Sequence, residues 1–149
     1  MEQKFLIKNL NDLKNLAHLI VKKITPNSYF LFFGKIGVGK TQLIKYIFKI
    51  LKVNEVIFSP SFTILHQIKH NNLIFNHFDF YRLNKPSLKL NKQEIDLYID
   101  FMIDNINFIE WPEIIESFVL KNKSNLRIDI YLDFNLENTN YRNCKIITY

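Results

Sequence analysis

Tyr29-Phe30-Leu31-Phe32-Phe33-Gly34-Lys35-Ile36-Gly37-Val38-Gly39-Lys40-Thr41-Gln42-Leu43-Ile44 decides the fold. Tyr29 to Phe33 is an uninterrupted apolar run, the pattern of a strand buried on both faces. Gly34 to Thr41 follows without apolar periodicity. From Lys40 to Leu51 the pattern turns helical, with Leu43, Ile44, Ile47, Phe48 and Leu51 on one side. Strand, glycine-rich turn and helix therefore come in that order. Within them, GKIGVGKT over residues 34–41 fills the P-loop pattern GxxxxGK[ST]. Glycines let such a loop curl so that its N–H groups point inward at phosphate oxygens, and the helix adds its positive N-terminal end. In that arrangement Lys40 reaches the β- and γ-phosphates and Thr41 sets its hydroxyl on Mg²⁺. A chain of this size ordinarily carries roughly ten glycines, at about 7% usage. This one has 3, and they are Gly34, Gly37 and Gly39.

The 149 residues, 48% of them hydrophobic, are enough for one α/β domain with a sizeable core. The net charge of +6 leans towards an acidic partner, but the lysines are spread along the chain, as on a solvated surface. The single cysteine, Cys144, excludes an internal disulfide and a Cys-based zinc site. No run approaches the roughly 18 apolar residues of a membrane span, and residues 1–4 lack the apolar stretch of a signal peptide. The expected setting is a reducing cytoplasm without membrane attachment.

Outward from the P-loop, Asn9 to Ile24 reads as a helix capped by Asn11 or Asp12. Val56 to Phe58 is expected to be a short strand closed by Ser59-Pro60. Thr63 to Lys69 and Leu73 to Phe80 read as paired strands joined at Asn71-Asn72, residues that tolerate positive φ. A helix is expected over Gln93 to Asp104, and a buried strand over Ile106 to Ile109, stopped by Glu110. Pro112 is placed to open a short helix through Val119. Leu126 to Phe134 alternates, with Leu126, Ile128, Ile130, Leu132 and Phe134 inward, and Tyr141 to Tyr149 is the last strand. The expected architecture is a single P-loop NTPase domain over residues 1–149, with a mixed, partly antiparallel central sheet flanked by helices.

A P-loop needs an acid on the metal side, commonly at the end of a neighbouring buried strand. Two stand at such ends. Glu110 follows Ile106-Asn107-Phe108-Ile109, and Asp79 lies in His77-Phe78-Asp79-Phe80-Tyr81-Arg82. Either could hold Mg²⁺, leaving the other to orient the attacking water. Ser59-Pro60-Ser61-Phe62 lies where P-loop proteins keep a segment that senses the γ-phosphate, with Ser61 able to contact phosphate or metal. Trp111, the only tryptophan, adjoins Glu110. His77 reads as a satisfied structural histidine and Arg82 as a phosphate ligand or a salt-bridge partner.

Together these motifs resemble the TsaE (YjeE) family of small bacterial P-loop ATPases required for threonylcarbamoyl modification of tRNA adenosine. The family pattern runs from the P-loop through SPT[FY] and HxDxYRL to an apolar strand ending in EWP or EWA. Here those are Gly34–Thr41, Ser59-Pro60-Ser61-Phe62, His77–Leu83 and Ile109-Glu110-Trp111-Pro112. Ser61 stands where the family has Thr, and Lys35 where it has Asp or Asn. The family's glycine near Asp96 to Tyr98 is absent. The resemblance implies binding and slow hydrolysis of ATP with Mg²⁺, and docking onto the TsaB–TsaD pair, with tRNA met through that complex. It implies catalytic roles for Glu110, Asp79 and Lys40. Thr41, Glu110 and Asp79 would face the metal, and Gly34, Gly37, Val38, Gly39, Lys40, Thr41, Gln42, Ser61 and Trp111 the nucleotide.

Other P-loop readings fit less well. Asn122-Lys123-Ser124-Asn125 lacks the final carboxylate of the guanine-reading NKxD, and no glycine is left for a DxxG switch. A small-molecule or nucleotide kinase would carry an arginine-rich lid, whereas only Arg82, Arg127 and Arg142 occur. A non-catalytic ATP-sensing adaptor is the remaining alternative.

Overall fold

The computed structural model describes residues 1–83, 91–117 and 125–149, and only the backbone of Lys92. Tyr29–Phe33 forms β2, at the centre of a seven-stranded sheet among the described residues. The strands are β1 (Glu2–Ile7), β2, β3 (Leu65–His70), β4 (Leu73–Asp79), β5 (Ile106–Glu110), β6 (Arg127–Phe134) and β7 (Arg142–Thr148), in the spatial order β1-β7-β6-β2-β5-β4-β3. β4, β5, β2 and β6 run parallel, while β3, β7 and β1 are antiparallel to their neighbours. The expected mixed sheet is therefore present. Its parallel centre brings the carboxyl ends of β2, β4 and β5 to one edge, where ligands of open α/β sheets bind.

Alternation along β2 sends Phe30 and Phe32 to one face and Tyr29, Leu31 and Phe33 to the other. The first face is covered by α1 (Leu10–Val21) and α2 (Lys40–Ile50) through Leu13, Leu16, Ala17 and Ile20, and Leu43, Ile44, Ile47 and Phe48. Phe48 meets Phe75 and Phe108 edge-on, at ring distances of 5.7 and 5.3 Å. Each such fully buried ring contributes about 1.5–3 kcal/mol of transfer free energy. On the second face Met102 and Tyr98 of α3 (Lys92–Met102) and Ile115 pack on Leu31, Phe78, Phe80 and Ile109. Among the described residues no helix is long and apolar enough to cross a membrane.

Several local expectations are corrected. Asn9, not Asn11 or Asp12, caps α1: its extended backbone lets its side chain accept from the Asn11 and Asp12 N–H groups. Val56–Phe58 joins no ladder among the described residues, and only Ile57 of the three turns inward. β1 has no counterpart among the expected strands, since as an edge strand it buries only Ile7 and gives almost no alternation. The outer face expected for β6 is also buried. Arg127 and Asp129 pair there through two contacts of 2.7 Å, inside a strand covered on both sides. Asn71 and Asn72 both have positive φ, as a two-residue hairpin turn demands. Pro112 opens a 3₁₀ turn, Pro112–Ile114, Glu116 and Ser117 are helical after it, and the end of that expected helix lies outside the described residues, as do Asn122, Lys123 and Ser124.

Candidate functional site

Gly34 leaves β2 at φ 137°, and a Cβ there would run into the carbonyl oxygen of Leu132. Only glycine lets the chain turn this close to β6. Gly37 and Gly39 meet open space, but at φ 75° and 112° they hold backbone shapes that L side chains rarely adopt. Gly39 is the residue before α2, so the loop ends on that helix's N-terminus. The Val38 side chain is buried against Gly34 and the core, which leaves only its backbone for a ligand.

Lys40, at 4% exposure, folds back over the loop. Its Nζ donates to the carbonyls of Gly34 and Lys35, at 2.7 and 3.0 Å, and lies 4.2 Å from the centroid of the Trp111 ring. Burial pulls its pKa below the usual lysine value, and the attraction of Glu110, Asp79 and Glu113 offsets this only partly. Trp111 holds its place with a left-handed backbone, φ 57° and ψ 56°, just past β5.

Glu110 ends β5, beside β2, and Asp79 ends β4, one strand further out; in the β4–β5 ladder the two are register partners. They therefore point to the same face, the one α2 covers. Glu110 is almost fully buried. The Thr41 hydroxyl, from the first turn of α2, lies 2.8 and 2.9 Å from its two oxygens, and His77 Nε2 lies 2.9 Å from Oε1. Asp79 faces other partners. Its Oδ2 accepts from the hydroxyls of Ser59 and Ser61, both at 2.6 Å, and its Oδ1 accepts from the Tyr81 N–H at 3.0 Å. Ile64 ends the serine-bearing segment at φ 67°, a strained backbone for a β-branched residue.

The cleft enclosed by these groups has a volume of about 620 Å³. Gly37, Gly39, Lys40, Thr41, Gln42, Ser61, Asp79, Glu110 and Trp111 all border it, so residues spread over the sequence converge there. Gly34 lies behind, at the base of the loop. Ser59, Tyr81, Lys45 and Phe62 also line the cleft without an expected ligand role, and Arg82, expected to meet a phosphate or a salt-bridge partner, lines it with its guanidinium over the Phe62 ring. The signal for Ser59 was its place two residues from Ser61 in the same Ser-Pro-Ser motif, and both hydroxyls meet Asp79. His77, read as structural, touches the site through Glu110; its spacing of two from Asp79 puts both on one face of β4.

One phosphate-directed loop, a lysine, a helix-borne hydroxyl and two strand-end carboxylates thus share one cleft. The donor set suits a triphosphate with a hard divalent cation: N–H groups and an ammonium for phosphate, hydroxyl and carboxylate oxygens for the metal.

Comparison with known proteins identifies the family. The family model described as threonylcarbamoyl adenosine biosynthesis protein TsaE matches residues 7–142. A Rickettsia felis protein named tRNA threonylcarbamoyladenosine biosynthesis protein TsaE is 33% identical over 113 residues, covering 74% of this chain and 63% of the relative. Its namesake in Nostoc sp. is 34% identical over 102 residues, covering 66% and 61%. The Bacillus subtilis namesake is 28% identical over 108 residues, covering 72% and 65%. The matched stretch thus spans less than two thirds of each of these relatives. The crystal structure of Bacillus subtilus YdiB superposes with a TM-score of 0.68 at 20% identity, over 99% of this chain and 85% of that one, and supports the P-loop NTPase fold. With the phosphate loop, both acids and the tryptophan all inside the matched region, the chain belongs to the TsaE family, whose members take part in biosynthesis of threonylcarbamoyladenosine in tRNA.

Proposed function

We propose that this protein binds ATP with Mg²⁺ in the cleft over Gly34–Thr41 and hydrolyses it slowly, and that it does so in support of tRNA threonylcarbamoylation by a TsaB–TsaD pair. The observation that carries the reading is the Thr41 hydroxyl set against Glu110 beside a buried Lys40. A P-loop threonine and a strand-end acid meeting at the helix start are the two protein contributions to a P-loop metal site. Thr41 and Glu110 would hold Mg²⁺ there, and the cation would offset the charge of the triphosphate.

The chain's own residues divide the remaining work. The loop N–H groups and the N-terminus of α2 take the phosphates. Lys40 exchanges its two carbonyl partners for phosphate oxygens, so its ammonium is already in place and already desolvated. Glu110 and Thr41 face the metal side. Asp79 holds Ser59 and Ser61, so the segment carrying them is tied to the site through that carboxylate. A γ-phosphate competing for Ser61, or a metal-bound water competing for Asp79, would loosen this tie, which is how nucleotide state would reach a partner surface. The TsaB–TsaD pair, contact with tRNA through it and a cytoplasmic setting follow from the family resemblance.

The test is phosphate release from ATP with and without the TsaB–TsaD pair. Wild type should turn over slowly and support repeated rounds of tRNA modification. Glu110→Ala should still bind nucleotide while losing hydrolysis by about a hundredfold or more, the scale of removing one preorganised electrostatic group. Undiminished modification by Glu110→Ala over many turnovers would rule the role out. A wild-type protein that supports modification without releasing phosphate would favour the ATP-sensing adaptor.

A further inference from the structure

His77 stands on β4 with no solvent exposure, two residues before Asp79 and on the same face. Its Cα partner on β5 is Phe108, so Glu110, two residues on, is its diagonal neighbour on that face. The contact between His77 Nε2 and Glu110 Oε1 is 2.9 Å, with side-chain exposures of 0% and 3%. A carboxylate only accepts, so the ring carries its hydrogen on Nε2. The other ring nitrogen, Nδ1, meets no hydrogen-bond partner among the described residues. A core position filled for packing alone would take an apolar ring and leave no polar atom unpaired. Here one nitrogen stays unpaired while the other is aimed at the carboxylate that takes the Thr41 hydroxyl.

We propose that His77 is a positioning residue: through its Nε2–H it fixes the Glu110 carboxylate so that its remaining lone pairs face Thr41 and the cation. Free rotation would let a strand-end glutamate turn into the cleft and meet Lys40. With Oε1 held from behind by His77 and both oxygens met by Thr41, the carboxylate plane is set before nucleotide arrives. Partners that orient a metal-side ligand commonly govern metal affinity by about 10–100-fold. The inference rests on the reading of Glu110 as the carboxylate on the magnesium side.

The decisive measurement is calorimetric titration of ADP, in EDTA and in excess Mg²⁺, for wild type, His77→Phe, His77→Gln and His77→Asn, each checked by thermal melting. Wild type should gain affinity with Mg²⁺. His77→Phe keeps the ring volume without the donor; it should lose about 10–100-fold of that gain and keep its affinity in EDTA. Glutamine can place an N–H near the Nε2 position, and asparagine stops about one bond short. His77→Gln should therefore retain most of the gain and His77→Asn should lose it. If His77→Phe does not fold, the contrast between Gln and Asn decides. A magnesium gain unchanged in His77→Phe or His77→Asn, or a loss equal in EDTA, would overturn the proposal. No magnesium gain in wild type would overturn instead the reading of Glu110 on which it rests. Independently, ¹H–¹⁵N correlation of the metal-free protein should place the His77 proton on Nε2, and a proton on Nδ1 alone would refute the geometry.

Discussion

Replacing Lys40 by methionine should abolish triphosphate binding and yet leave the nucleotide-free fold at least as stable as before. The side chain is 4% exposed, so the ammonium has given up nearly all its water. In return it makes two hydrogen bonds to loop carbonyls and one contact with the Trp111 ring. Charge-assisted hydrogen bonds contribute about 1.5–3 kcal/mol each, and a desolvated cation–π contact about 2 kcal/mol. The penalty for removing an ammonium from water is itself several kcal/mol, so the terms nearly cancel. Which side wins is given by the direction of the Lys40 pKa. Burial lowers it, and the carboxylates of Glu110, Asp79 and Glu113 do not restore it. The charged form is therefore held less well in the fold than in water. Methionine fills the same channel with an unbranched, uncharged chain. The expected result is a variant within about 1–2 kcal/mol of wild type, with the balance on the variant's side.

The pH dependence gives the sharper test. The folded-state pKa of Lys40 lies below the ordinary lysine value of 10.5. Between the two values the unfolded chain binds the extra proton, so wild-type stability rises as pH climbs through that window. The methionine variant has no such rise. Urea denaturation of both proteins without nucleotide, at about pH 7 and about pH 10, should show the variant's advantage shrinking towards the alkaline end. In parallel, the variant's affinity for ATP should fall by about a hundredfold or more, the worth of a charged contact of about 3 kcal/mol. A variant less stable by more than about 2 kcal/mol, with a gap that ignores pH, would refute the reasoning. Lys40 would then be a structural tether rather than a desolvated ligand in waiting.

Burial pushes the Cys144 thiol from 9.0 up to about 12, so the folded protein should carry about a thousandfold less thiolate near neutral pH than an ordinary cysteine. An aromatic disulfide reagent should label the urea-unfolded chain quickly and the native protein at least that much more slowly; equal rates would contradict the burial. Asp79→Ala removes the common acceptor of Ser59, Ser61 and the Tyr81 N–H, a loss of about 1–3 kcal/mol. Because two of those donors stand on one short segment, hydrogen exchange should quicken over residues 59–64 and at Tyr81 while β2 stays slow. Uniform quickening across the sheet would show that Asp79 supports the whole fold instead.

The centre of the molecule was legible because its local signals agree. Five consecutive apolar residues followed by a glycine turn and an amphipathic helix admit one arrangement, and β2, the loop and α2 follow it. The hairpin at Asn71-Asn72 was legible for the same reason, since its turn chemistry and both flanking strands point one way. Legibility fell where a residue's fate depends on a distant neighbour. Val56–Phe58 has strand-like composition, but composition does not supply a pairing partner, and the place beside β4 goes to β3. The burial of the Arg127–Asp129 pair was not legible, because two charges alternating with apolar residues carry no sign of what packs above them. The expectation for His77 stopped short in the same way. Its type suited a structural histidine, and only the parallel pairing of β4 with β5 brings its ring to Glu110.

That pairing also bears on why the site needs two acids. Asp79 and Glu110 share a rung and a face, so by register alone they are interchangeable. Their partners differ in how they are anchored. Glu110 is met by a residue of a helix whose start is pinned by the loop, and by a histidine inside the core. Asp79 is met by two serines on a segment without ladder hydrogen bonds, ending at a strained Ile64 and bearing the exposed rings of Phe58 and Phe62. A carboxylate fixed on every side can hold a cation in one geometry but has little to transmit. A carboxylate fixed to the sheet and bonded to a movable segment can convert a change at the phosphates into a change at the surface. Under the proposed function the two acids therefore serve different ends, Glu110 the metal and Asp79 the response. Asp79→Ala and Glu110→Ala should then fail in different assays: the first should hydrolyse ATP but uncouple it from tRNA modification, and the second should bind nucleotide without hydrolysing it.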